Sequence, residues 1–177
     1  MLTHTQTRPV VPTRDTTPPT ALEIIPEAIP AELRARHQWG GWRWKRDGGR
    51  WTKLPINPAT GDAASSTDPS TWGTFARALD CYHRRHLPGI GYFLSADDPY
   101  TGIDIDKCRD PLTGALDERA AGIVAALDSY TEISPSSTGI RIFVRGLVPG
   151  PRRKEPRLGV ELYDRDRFLT VTGHALD

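Results

Sequence analysis

The sequence predicts an α+β fold in which short strands outnumber helices. Extended runs rich in β-branched and aromatic residues recur along the chain, each bounded by Gly, Pro or Asp turn residues. Two amphipathic stretches predict helices, but they do not alternate regularly with the strands, which argues against a parallel α/β sheet. The chain has 177 residues, the usual length of about one domain.

The first predicted elements follow a tail that has almost nothing to bury. Residues 1–25 are rich in Thr and Pro, so we expect a disordered tail, and we assign the domain to 26–177. A short helix is predicted over 31–36. Trp-rich extended runs on either side of the turn at 47–49 then predict a β-hairpin, and Pro55 should end its second strand or hold it at a sheet edge.

The remaining elements are predicted from periodicity and turn residues. Asp68 or Ser70 is expected to cap a helix that runs to about His86, and a second helix should end at Leu127. The other strands are predicted over 89–94, 100–106, 130–134, 139–145, 159–163 and 167–172. The strands should form a curved antiparallel or mixed sheet with flanking helices. The hairpin and first helix should form a lobe over its cleft.

Composition excludes several classes of protein. The longest apolar run, residues 120–127, is far shorter than the ~20 residues that a membrane-spanning helix needs. The amino terminus lacks the apolar run of a secretory signal, and two cysteines are too few for a disulfide framework. We therefore expect a cytoplasmic protein with no membrane partner.

Charge is segregated along the chain, although the net charge is only +1. Basic blocks at 31–60 and 131–160 flank an acidic block at 61–130. One interpretation is a mixed, solvated surface. The other is a site that binds polyanions beside carboxylates that hold a metal ion.

Three acidic residues are candidate metal ligands. Asp104 and Asp106 alternate with Ile103 and Ile105, so both carboxylates should lie on one face of a strand. Neighbouring carboxylates repel each other unless a cation lies between them, and Mg²⁺ or Mn²⁺ prefers oxygen ligands. Glu161, on a later strand, could be a third ligand. The alternative is a solvated acidic strand end.

A hydroxyl-rich loop and two arginines are candidate phosphate ligands. The loop joins two predicted strands, and Arg141 and Arg145 follow it on one face of the second. Hydroxyls, free backbone N–H groups and arginines all bind phosphate oxygens. The loop candidates are Ser134, Ser136, Ser137, Thr138 and Gly139. The alternative is a plain hairpin loop beside solvated arginines.

The hairpin interleaves aromatic and basic side chains. Bases stack on aromatic rings while cations hold the phosphates, so this pattern is typical of single-stranded nucleic-acid binding. Trp39 and Trp42 are expected to be mostly structural. The candidate DNA ligands are Trp44, Lys45, Arg46 and Arg50.

The order of these motifs resembles that of a known family. The chain runs Trp-x-x-Trp-x-Trp, Gly-Ile-Asp-Ile-Asp, Ser-Pro-Ser-Ser-Thr-Gly-Ile-Arg-Ile-Phe, Val-Glu-Leu-Tyr and Arg-Phe-Leu-Thr-Val-Thr-Gly. Over about residues 32–174 it is similar to the primase-polymerase domains of phages, plasmids and integrated elements, in the archaeo-eukaryotic primase superfamily. The resemblance implies the catalytic core of that superfamily.

The resemblance also implies an activity, template-directed nucleotidyl transfer by a DNA primase or polymerase. Asp104, Asp106 and Glu161 would be the catalytic acids and would hold two Mg²⁺ or Mn²⁺ ions. Arg141 occupies the position where the family usually has a histidine that contacts the triphosphate of the incoming nucleotide. The further phosphate candidates are Lys53, Arg145 and Arg167.

The implied partners are a single-stranded DNA template and dNTPs or NTPs. Members of this family typically continue into a helical accessory region and often a helicase, so either could be a partner. One alternative is a catalytically degenerate module that binds single-stranded DNA or nucleotides and recruits replication proteins. A metal-dependent nuclease is another, because two-metal carboxylate sites also cleave phosphodiesters.

Overall fold

The computed structural model describes residues 17–148 and 153–176, and within them the predicted α+β class is confirmed. The helices are α1 (Ala31–Arg34), α2 (Phe75–Arg85) and α3 (Glu118–Leu127), with 3₁₀ turns at Pro26–Ala28 and Pro69–Thr71. The first strands are β1 (Trp39–Asp47), β2 (Arg50–Ile56), β3 (Gly89–Leu94), β4 (Tyr100–Ile105) and β5 (Thr131–Ile133). The others are β6 (Ile140–Arg145), β7 (Arg153–Glu155), β8 (Val160–Tyr163) and β9 (Arg167–Val171).

In the described residues the strands form two antiparallel sheets. A four-stranded sheet has the order β2-β1-β3-β9, and a five-stranded sheet has the order β5-β6-β4-β8-β7. The hairpin β1–β2 is therefore not the separate lobe that was expected, because β3 and the late strand β9 continue its sheet. Across residues 17–148 and 153–176, each helix is too short or too polar to cross a bilayer.

The helix α2 starts later than the sequence suggested. Asp68 caps the preceding 3₁₀ turn by accepting from the Ser70 N–H at 3.0 Å, whereas Thr74 accepts from the Arg77 N–H and caps α2. Trp72 consequently lies outside the helix, and its ring stacks on that of Phe93, with 5.0 Å between centroids. Thr74, which follows Asp68 and Ser70, is also a good capping residue, and this explains the error.

The first tertiary contacts lie before the predicted domain boundary at residue 26. The Ile25 N–H donates to the carbonyl of Thr172, and Ile24 packs against the core. Residues 1–16 of the predicted tail lie outside the described residues. Strand β7 was not predicted, because Arg-Lys-Glu contains no apolar residue that would mark a strand.

Two hydrophobic clusters separate the two faces of β4. The first cluster joins α1, α2 and both sheets, and includes Trp39, Tyr92, Phe143 and Leu169. The second lies between the other face of the five-stranded sheet and α3, and Ile103 and Ile105 belong to it with Ile140 and Ile142. The intervening residue of β4, Asp104, therefore points away from α3.

Candidate active site

Five charged residues form one row across the five-stranded sheet. In the pairing register, Glu132 lies opposite Arg141, Arg141 opposite Asp104, Asp104 opposite Glu161, and Glu161 opposite Lys154. Residues directly opposite one another share a face of a sheet, so all five side chains emerge on the same side. Three of them, one each on β6, β4 and β8, are residues that the sequence singled out.

Arg141 and the Asp104 oxygen that faces it are buried and have unused hydrogen-bonding capacity. Arg141 is 5% exposed, and its Nε lies 3.4 Å from Asp104 Oδ1. The two form an ion pair without a hydrogen bond. Arg141 Nε, Arg141 Nη1 and Asp104 Oδ1 are buried atoms without a hydrogen-bond partner in the described residues. Such orphaned groups are costly to bury, which makes this half of the row a candidate ligand site.

Glu132, which the sequence did not single out, anchors the row to the other sheet. Its fully buried carboxylate accepts from the Thr172 N–H at 3.0 Å, the Gly173 N–H at 2.9 Å and the Tyr130 hydroxyl at 2.8 Å. Burial raises the pKa of Glu132, and these hydrogen bonds together with the Arg141 charge oppose that rise. Glu132 therefore connects β5 and Arg141 to the end of β9.

Glu161, in the outer half of the row, is already paired. It accepts from Lys154 Nζ at 2.8 Å, from Arg167 Nη2 at 3.2 Å and from the Tyr163 hydroxyl. Partial burial favours a higher pKa for Glu161, but the bonds from Lys154 and Tyr163 outweigh it, and the pKa lies below its usual value. Lys154 and Tyr163 were not predicted as site residues.

Asp106 directly follows the end of β4, two residues beyond Asp104. With Glu161 and Lys154 it lines a small pocket of about 100 Å³. Partial burial and the neighbouring Asp104 charge raise the pKa of Asp106. No group of three His, Cys, Asp or Glu side chains is assembled for a metal ion within 17–148 and 153–176. Asp104 and Asp106 nevertheless suit a hard cation, because Asp104 offers an unpartnered oxygen and the charges repel.

A cleft of about 940 Å³ brings residues of both sheets together. Among the predicted site residues it is lined by Trp44, Lys53, Asp104, Ser136, Arg141 and Arg167. Lining residues outside the predicted ligand set include Trp51, Phe168 and Thr170. Trp51 belongs to the aromatic pattern of the hairpin, whereas the positions of Phe168 and Thr170 on β9 become relevant only once the sheet order is known.

Lys53 supplies a cation to this cleft from the hairpin. Its Nζ lies 5.6 Å from the ring centroid of Trp42 and 5.9 Å from that of Trp44, within range of cation–π attraction. Burial, followed by the Arg141 charge, lowers the pKa of Lys53 to about 8, although Asp104 and Asp106 pull it upward. The protonation of Lys53 is therefore sensitive to pH near neutrality.

The hydroxyl-rich loop between β5 and β6 presents one of its predicted ligands to the cleft. Ser136 is exposed there and is joined at 3.1 Å to the hydroxyls of both Ser134 and Thr138. Ser134 itself is buried and accepts from the Gly139 N–H at 3.2 Å. Ser137 has a left-handed φ of 63° and its carbonyl accepts from Arg109 Nη1 at 3.0 Å. The loop is thus held from both sides.

The hairpin divides its predicted DNA ligands between two faces. Trp44 pairs with Lys53, so Trp44 and Arg46 share a face with this cleft residue. Lys45 pairs with Thr52, and by alternation Lys45 and Arg50 lie on the opposite face. The aromatic and basic pattern is therefore not a single surface.

Arg145 lies outside the cleft. It is four residues from Arg141, which is roughly 13 Å along a strand. Its guanidinium pairs with Glu32, lies 5.4 Å from the ring centroid of Tyr100 and lines a separate pocket. Sharing a face was the correct part of the prediction, but distance along the strand separates Arg145 from the other candidates.

Fold and site together define an α+β domain with an acidic and basic cleft between two antiparallel sheets. No family model matches the chain. The chain is, however, 35% identical over 144 residues to the DNA primase-polymerase of Nitratiruptor phage NrS-1, and these residues are 79% of this chain. The chain spans about a fifth (20%) of the length of that relative. This similarity identifies a domain of the primase-polymerase type.

Proposed function

We propose that this domain catalyses template-directed nucleotidyl transfer, as a DNA primase, a DNA polymerase or both. The observation that carries the proposal is the row in which Arg141, Asp104 and Glu161 lie opposite one another, beside Asp106. It sets carboxylates close to a buried cation, and phosphoryl transfer needs such charged groups for positioning and charge neutralisation. The name of the phage relative supports the same activity.

Basic residues of the cleft would hold the triphosphate of the incoming nucleotide. Arg141 has two unpartnered N–H groups, so it can donate to phosphate oxygens without breaking an internal hydrogen bond. Ser136 offers an exposed hydroxyl, and Lys53 and Arg167 line the cleft nearby. The planar guanidinium group of an arginine can donate two parallel hydrogen bonds, which suits it to bind phosphate oxygens.

Mg²⁺ or Mn²⁺ would be held by Asp104 and Asp106, with Glu161 as a third ligand. Glu161 would have to exchange the ammonium group of Lys154 for the cation, because its oxygens are engaged. When bound, such cations supply positive charge beside the attacking hydroxyl and the leaving pyrophosphate. The pairing register puts Arg141, Asp104 and Glu161 on one face of the sheet, so the cations would lie beside a triphosphate bound by Arg141.

A single-stranded DNA template would lie along the hairpin on the side of Trp44 and Arg46. Stacking on the ring and contact with phosphates would make its affinity fall steeply with salt. We place this activity in the replication of a phage, plasmid or integrated element, with dNTPs or NTPs as substrates. A replicative helicase or a helical accessory region is the proposed protein partner.

The test is synthesis on primed and unprimed single-stranded DNA with labelled dNTPs or NTPs and Mg²⁺ or Mn²⁺. We expect template-dependent product that falls by about a thousandfold in Asp104→Asn/Asp106→Asn, equivalent to roughly 4 kcal/mol of lost transition-state stabilisation. Product on the unprimed template would establish priming. Shortening of the DNA instead of extension would favour the nuclease. Product from the double variant at the wild-type rate would overturn the assigned acids.

A second candidate is a binding module without catalysis. The observation in its favour is that Arg141 already neutralises Asp104, while Lys154 and Arg167 neutralise Glu161. Such a module would bind nucleotides or single-stranded DNA but would make no product on either the primed or the unprimed template. It would also keep its affinity for both ligands when the metal is removed by chelation.

A further inference from the structure

Thr170 is a buried residue whose side-chain hydroxyl has no hydrogen-bond partner in the described residues. It lies on β9 opposite Gly91 and is 3% exposed. Its Oγ1 is a buried atom with no hydrogen-bond partner in the described part of the chain. Leaving a buried hydroxyl unpaired destabilises a protein, so this group calls for a partner from outside.

The surroundings of Thr170 specify the chemistry of that partner. Thr170 lines the cleft that also holds Ser136, Arg141 and Arg167. Arg141 is nearly as buried as Thr170 and has two unpartnered N–H groups. The hydroxyl therefore shares its cavity with cationic N–H donors that also lack partners, and an anion with several oxygen acceptors would satisfy them together.

We infer that the Thr170 hydroxyl donates a hydrogen bond to a phosphate oxygen of the incoming nucleotide, beside Arg141. This inference rests on the proposed function only in taking a nucleotide as the occupant of the cleft. Thr170 is then a binding residue supplied by the four-stranded sheet, whereas Arg141 and Ser136 come from the five-stranded sheet and its loop. The triphosphate would be gripped from both sheets.

The burial of Thr170 gives the inference an unusual signature. Valine has nearly the same shape as threonine but no hydroxyl, so Thr170→Val removes the unpaired group from the free protein. The free Thr170→Val protein should therefore be at least as stable as the wild type. Its affinity for inorganic tripolyphosphate should nevertheless fall by about tenfold, because hydrogen bonds to charged groups are the stronger ones. A purely structural threonine would lose stability and keep its affinity.

Thr101 provides the matched control. It is a similarly buried threonine, 4% exposed, but its hydroxyl donates to the Gly146 carbonyl at 2.6 Å, and it lies on the α3 side of β4. Thr101→Val should lower thermal stability and leave tripolyphosphate affinity unchanged. Thr170→Ser, which retains the hydroxyl, should keep most of the wild-type affinity.

The experiment measures melting temperature and calorimetric affinity for tripolyphosphate, a dNTP and a single-stranded oligonucleotide on the whole chain. Loss of affinity for tripolyphosphate and dNTP alike, with oligonucleotide binding unchanged, supports the inference. Loss for the dNTP alone would assign the hydroxyl to the sugar or base, and loss for the oligonucleotide alone would assign it to DNA. Either result, or no loss, overturns it. None of these measurements requires synthesis, so the inference can fail while the polymerase proposal stands, and the reverse.

Discussion

Two ion pairs in the charged row each join a cation to a carboxylate, but their surroundings differ. Arg141 is buried and lies 3.4 Å from Oδ1 of the mostly covered Asp104, and both residues keep polar atoms without a hydrogen bond in the described residues. Glu161 and Lys154 lie nearer solvent and are bonded to each other at 2.8 Å. At the buried end of the row, polar atoms therefore remain available to bind a ligand. At the other end, Glu161 can bind a ligand only if it gives up its present partners.

Removing the buried cation Arg141 should have the largest effect, and this effect is on stability. Arg141→Met leaves the Asp104 and Glu132 carboxylates without their shared cation, so the free energy of unfolding should fall by about 3–5 kcal/mol. Arg167→Met, at the more exposed end, should cost less than about 1 kcal/mol. Urea denaturation measures both. Equal losses from the two variants would contradict the expectation that burial of the cation determines the loss of stability.

Phosphate binding near the buried end of the row should depend on pH through Lys53. The pKa of Lys53 is lowered to about 8, so the side chain loses its charge between pH 7 and pH 9. Affinity for tripolyphosphate should therefore fall by about tenfold over this range as a charge-assisted hydrogen bond is lost. Lys53→Met should bind weakly with little pH dependence. Lys45→Met, on the opposite face of the hairpin, should behave like the wild type.

The lowered pKa of Lys53 affects folding stability in the opposite direction, because stability should rise with pH while phosphate affinity falls. An unfolded lysine keeps its proton up to a pKa of about 10.4, so between pH 8 and that value the unfolded state binds more protons than the folded one. The Lys53 contribution to the free energy of unfolding should therefore increase with pH over this interval. A stability difference between wild type and Lys53→Met that does not vary with pH would contradict the shift.

The smallest expected effect lies at the exposed end. Lys154→Met removes a cation that competes for Glu161, so Mn²⁺ should bind about two- to fivefold more tightly, in line with the modest worth of exposed ion pairs. Electron paramagnetic resonance of free Mn²⁺, without nucleotide, measures this binding. Unchanged or weaker Mn²⁺ binding would remove Glu161 from the proposed ligand set.

Local patterns in the sequence predicted those parts of the site that depend on neighbours along the chain. Alternation with isoleucine placed Asp104 on the face opposite to Ile103 and Ile105, and in the structure those isoleucines belong to the hydrophobic cluster beside α3. The same reasoning put Arg141 and Arg145 on one face but could not show which of the two positions along that strand lies at the cleft. Alternation of apolar and polar residues predicts a strand and the face of each side chain. It does not predict which residues of the neighbouring strands lie opposite, because that depends on the pairing register.

Residues that the sequence did not single out depend on contacts between distant segments. Glu132 is one acidic residue in a short strand, and its role comes from the amides of Thr172 and Gly173, forty residues away or more. Thr170 enters the cleft because β9 is an edge strand of the four-stranded sheet. Lys154 lies on a strand without apolar residues. No single-strand pattern carries the register that aligns these groups.

Gly139, at the end of the hydroxyl-rich loop, lies against the backbone that carries Asp106. A methyl group placed on Gly139 would lie 2.7 Å from the Ile105 carbonyl oxygen and 3.4 Å from the Asp106 Cα. The loop backbone therefore rests directly on the peptide that carries Asp106, with no side chain between them to absorb movement. A larger residue at position 139 would push the loop and this peptide apart, so the spacing between the hydroxyl-rich loop and Asp106 depends on this glycine.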